Sequence, residues 1–111
     1  MFYKILCAIA VAGLMVGAAQ AAGLMVVHHE VANYAMWRPA FDADVPNQLA
    51  AGLTNGHVYQ SADDPNNVTI IFDMADVAKA KAFATSDALK ATMMKAGVTG
   101  KPEIFFLNPT P

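Results

Sequence analysis

Four apolar runs of β-type composition and two helical stripes follow one another in the order β-α-β-β-α-β, so the sequence predicts an α+β domain: a four-stranded antiparallel sheet with its helices on one face. A third observation sharpens this. The best-defined strands are apolar on both sides, so the sheet needs a second cover besides the helices.

Leu24 to Val31 is mostly apolar and suits a first strand. Asn33 then offers a side-chain oxygen as a helix N-cap. Tyr34, Trp37 and Phe41 recur at i, i+3 and i+7, one face of a helix. Pro46 has no N–H to donate, so it breaks this helix or restarts it in a first turn. Leu49, Ala50 and Ala51 finish a short second piece, and Gly52 is its stop.

His57 to Ser61 reads as a second strand and Val68 to Asp73 as a third. Between them "DDPNN", Asp63 to Asn67, concentrates turn-forming residues, so the pair reads as a hairpin. Asp76 caps the next helix, with Val77, Ala80, Phe83 and Ala84 on one face. Ser86 is a fresh N-cap, Leu89, Met93 and Ala96 point inward, and Gly97 ends the helix. Glu103 to Leu107 is the last strand. This is the ferredoxin-like βαββαβ arrangement.

An antiparallel sheet with one wet face alternates apolar and polar residues. Here Val68, Ile70 and Phe72 oppose Ile71, and Ile104 and Phe106 oppose Phe105 and Leu107. A large apolar face left bare marks an interface, so a homodimer is expected.

The first 21 residues read as a secretory signal peptide: Lys4, an apolar stretch from Ile5 to Ala18, then Ala19-Gln20-Ala21 before a cleavage point at Ala22. The apolar stretch is short for a membrane span of about 20 residues. Residues 22–111 then form one domain, secreted or periplasmic, with no membrane attachment after cleavage. Losing Lys4 leaves six basic residues against nine acidic ones. No basic patch or stripe marks a nucleic-acid partner. The one cysteine, Cys7, leaves with the signal, which removes disulfides, thiol nucleophiles and thiolate metal sites.

The pattern His29-x-Val31-x-Asn33-Tyr34-x-x-Trp37-Arg38-x-x-Phe41-Asp42, followed by Val58-Tyr59, Asp64-Pro65-Asn66 and the segment Lys81 to Leu107, resembles the dimeric α/β-barrel superfamily. That group includes the antibiotic-biosynthesis monooxygenases and small cyclase-like proteins. The resemblance covers nearly the whole of residues 22–111. It implies two sheets facing each other across a dimer, and activities that include cofactor-free oxygenation of aromatic or quinol substrates and haem degradation. Haem-degrading members hold iron through a histidine on the second helical region. Residues 76–96 contain none, so haem binding does not carry over.

The candidate ligand-binding residues are His29, Tyr34, Trp37, His57 and Tyr59. His28 and His29 alternate to opposite faces of their strand and cannot act as a pair. His29 shares a face with Val27 and Val31, and His57 shares one with Tyr59. No set of side chains converges with metal-ligand spacing, so no metal and no cofactor is expected. No G-x-S-x-G, phosphate-binding loop or dinucleotide fingerprint is present, and no residue takes a catalytic role on sequence grounds. Trp37 and Phe41 are most simply core residues. The tyrosine hydroxyls would orient a substrate or satisfy buried polar groups. Two functions follow: an exported binder of a small apolar or aromatic molecule acting as a cofactor-independent monooxygenase-like or cyclase-like enzyme, or a non-catalytic homodimeric ligand-binding or stress-related structural protein.

Overall fold

The computed structural model describes residues 23–111; the expected signal segment lies outside the described residues. Strand β1 (Gly23–Val31) leads into helix α1 (Tyr34–Ala43) and the short helix α2 (Val45–Ala50). The hairpin β2 (Leu53–Gln60) and β3 (Asn67–Met74) follows, then α3 (Val77–Ala84), α4 (Asp87–Lys95) and β4 (Val98–Leu107). The four strands form one sheet in the order β2-β3-β1-β4, and every neighbouring pair is antiparallel. This is the ferredoxin-like α+β topology.

Local chemistry sets the helix boundaries. The Asn33 side-chain oxygen accepts the Met36 N–H at 3.1 Å, Asp76 accepts from Ala78 and Lys79, and Ser86 accepts from Leu89. Gly52 and Gly97 close α2 and α4 at positive φ, 79° and 86°, where a side chain would be strained. Pro46 does restart the chain: α1 ends at Asp44 and α2 begins with the proline in its first turn. Pro39 lies within α1 on an exposed side, where water can take the place of the N–H it lacks.

Two strands begin earlier than their sequence suggests. β2 starts at Leu53 rather than His57, because its pairing with β3 slips between Thr54 and His57, where Asn55 has φ of 52°. This bulge breaks the alternation that makes a strand legible. β4 starts at Val98 rather than Glu103. Gly100 and Pro102 disguise it, but β4 lies at the sheet edge, where such residues are tolerated.

One sheet face carries the core. Met25, Val27 and Val31 on β1 and Val68, Ile70, Phe72 and Met74 on β3 are buried under Trp37 and Ala80. Val77, expected on this inner side, is exposed at the start of α3; the helix meets the core through Ala80, one turn on. Gly56 belongs to the same layer: a Cβ there would come within 2.8 Å of the Phe72 ring and 3.5 Å of Phe41. Among the described residues no helix covers the opposite face. Val26 pairs with Ile71 on one side and Phe105 on the other, and Leu24 pairs with Leu107. Phe105 remains 50% exposed and Tyr59 53%.

Candidate functional site

The site is a slot between the inner sheet face and the helices. Met25, Val27, His29, Ile70, Phe72 and Ile104 form its floor. Trp37, Phe41 and Gln48 roof one side, and Leu89, Thr92 and Met93 the other. The cavity is narrow and opens to solvent at its mouth, and its lining is almost wholly apolar. The mouth leads to a more open cleft: Asp44, Phe83, Leu89 and Thr92 line both, with Asn47, Lys79 and Ser86 further out.

His29 is the main polar group on the floor. It is 5% exposed, and its Nδ1 is buried with no hydrogen-bond partner among the described residues. Its ring meets Trp37 edge-on at 5.5 Å between centroids. Burial pushes its pKa below the ordinary 6.5, and the neighbouring His28 charge pushes the same way; its own backbone opposes them. The imidazole is therefore neutral at neutral pH and can accept a proton. Trp37 stacks on Phe41 at 5.0 Å, and Phe41 leans on Phe72 at 6.2 Å, so a row of rings runs along the slot.

The structure brings together only part of the residues expected at the site. His29 and Trp37 line the slot. Tyr34 packs on Trp37 at 5.7 Å, yet its hydroxyl accepts a hydrogen bond from Arg38 and is not part of the slot wall. His57 and Tyr59 belong elsewhere: they pair with Ile71 and Thr69, which places both on the opposite sheet face from His29. His57 is exposed. Alternation along β2 from the misplaced strand start grouped His57 with Tyr59, but could not say which face they shared.

Gln48 was missed. It is buried in the slot wall, and its Nε2 donates to the Phe41 carbonyl at 3.4 Å. A signal for it exists: the spacing of Tyr34, Trp37 and Phe41 continues to Asp44 and Gln48, straight through the break at Pro46. Among the described residues no three His, Cys, Asp or Glu side chains converge as a metal site, and no helix is long and apolar enough to cross a membrane.

The fold is shared with solved structures described as antibiotic biosynthesis monooxygenases. A candidate antibiotic biosynthesis monooxygenase from Bordetella bronchiseptica superposes with a TM-score of 0.65 at 14% identity, over 80% of this chain and 99% of that one. SnoaB, a cofactor-independent oxygenase from Streptomyces nogalater, gives 0.59 at 14% identity over 78% and 93%. A monooxygenase from Streptomyces coelicolor, solved with nanaomycin D, gives 0.53 at 18% identity over 81% and 89%. No family model and no curated protein sequence matches the chain. At these identities the likeness establishes the fold.

Proposed function

We propose that the protein binds a flat aromatic or quinol-type molecule in the slot and acts on it as a cofactor-independent monooxygenase-like enzyme. The observation that carries this is the buried Nδ1 of His29, unpartnered among the described residues, in a side chain on the floor of a ring-lined, mostly apolar slot. A buried polar atom without a partner is costly, and a site that binds ligand there recovers the cost. His29 takes a proton from a ring hydroxyl. The electron-rich anion supplies all four electrons to dioxygen. One oxygen atom bonds to a ring carbon that gives up its hydrogen; the other leaves as water with that hydrogen and the hydroxyl proton, and the phenol becomes a quinone. Trp37 and Phe41 hold the ring and exclude water. The fold shared with a cofactor-independent oxygenase supports the chemistry.

The working unit in this proposal is a homodimer. Leu24, Phe105 and Leu107 form an exposed apolar band across β1 and β4, with Tyr59 further across the sheet on β2. Pairing two such faces buries it. Export is part of the same reading and rests on the Lys4 to Ala21 segment; intact mass of protein recovered from the periplasm or medium should start at Ala22. The deciding experiment is oxygen uptake by the purified protein against a panel of quinols and polyphenols. Uptake that disappears in His29→Phe is expected. Binding without uptake would favour the non-catalytic reading, and neither binding nor uptake would sink both.

A further inference from the structure

The role given to His29 leaves the other buried polar side chain of the slot unused. Gln48 is 6% exposed and lines the same space. Among the described residues its side chain makes one hydrogen bond, the long 3.4 Å donation to the Phe41 carbonyl. A primary amide has two donors and an acceptor with two lone pairs. Most of that capacity is left over for a molecule that enters the slot, while the residue as a whole is buried.

Its position relative to His29 is specific. His29 touches Trp37, Trp37 stacks on Phe41, and Gln48 bonds the Phe41 backbone. The stacked Trp37 and Phe41 rings are the links between them, so an apolar stretch of wall separates two polar groups of one slot.

We infer that Gln48 is a second ligand anchor, selecting a flat molecule with hydrogen-bonding oxygens at both ends of its long axis, one held by His29 and the other by Gln48. This rests on the reading of the slot as a small-molecule site. The two anchors differ in what they ask of the ligand. In the tautomer that leaves Nδ1 its lone pair, the neutral imidazole takes a hydroxyl. An amide accepts from a hydroxyl or donates to a carbonyl, so Gln48 tolerates either oxidation level at its end.

The test compares two probes with the same ring system: a naphthol with one hydroxyl, and the naphthalenediol with hydroxyls at opposite ends of the long axis. Affinities come from calorimetry. Trp37, the one tryptophan of the chain, reports entry through its single indole N–H resonance. In the wild type the diol should bind roughly tenfold tighter, the return on one added hydrogen bond in a dry site. In Gln48→Met, which keeps length and flexibility, that ratio should fall to about one. Equal affinities in the wild type, or a preference that survives in Gln48→Met, overturns the anchor while the indole shift still upholds the slot as a binding site. If no probe moves the indole resonance, the anchor and the slot reading fall together.

Discussion

His28 and His29 are neighbours in sequence and opposites in chemistry. His29 faces the helices, has an orphaned ring nitrogen, and is held below its ordinary pKa by burial. His28 faces the uncovered side. Its Nδ1 lies 3.2 Å from a Glu103 carboxylate oxygen and its Nε2 contacts the Asn67 side-chain oxygen; these two contacts, Glu103 first, raise its pKa. The alternation of a strand makes that difference. It divides the whole sheet the same way: one face packed under the helices around the slot, and one face left open, where Phe105 and Tyr59 are half exposed.

The largest expected effect tests the sealed face. Trp37 is 3% exposed between His29 and Phe41, so Trp37→Ala should cost about 3–5 kcal/mol in urea unfolding. An unchanged midpoint would mean that the slot has no structural roof. The next effect separates the faces with one residue each on β4. If the proposed dimer forms, Phe105→Lys should convert it to a folded monomer in light scattering. Phe106→Lys, on the partly buried inner side, should destabilise the fold instead. Identical behaviour of the two variants would erase the distinction between the faces.

Acid titration reads the two histidines directly. His29 protonates at about 6.5 when unfolded and lower when folded, so its contribution is intact above 6.5 and is lost as pH falls toward the folded value. Stability should therefore fall with acidification in that range, and this dependence should vanish in His29→Phe. His28 has the opposite sign: its contribution is present below 6.5 and lost as pH rises through its higher folded value. A stability profile that ignores both substitutions would show that strand alternation does not set these environments. The smallest effect is a gain. Removing the orphaned Nδ1 in His29→Phe should stabilise the protein at pH 8 by about 1 kcal/mol while abolishing ligand binding. Loss of stability instead would mean that the imidazole is satisfied in solution.

Much of the fold was legible because its signals are local. Asn33, Asp76 and Ser86 cap helices where their side chains can reach the next turn, and Tyr34, Trp37 and Phe41 keep helical spacing. The bulge near Asn55 and the edge position of Pro102 were not legible, since each depends on the neighbouring strand. The site divides similarly. His29 and Trp37 stand out by residue type and pattern. His57 could be placed only with the register of β2 against β3 known, and Gln48 only by carrying a helical stripe across a proline.

Gly56 ties this slot to the history open to the chain. The space its missing side chain leaves is filled by Phe72 and Phe41, two rings of the slot lining. Positions 41, 56 and 72 therefore share one volume. A lineage that acquired a side chain at 56 would have to shed ring volume at 41 or 72, and a descendant with a longer slot could arise by that exchange without moving a strand. Change in ligand size should then be inherited as a covarying triplet in which His29 takes no part.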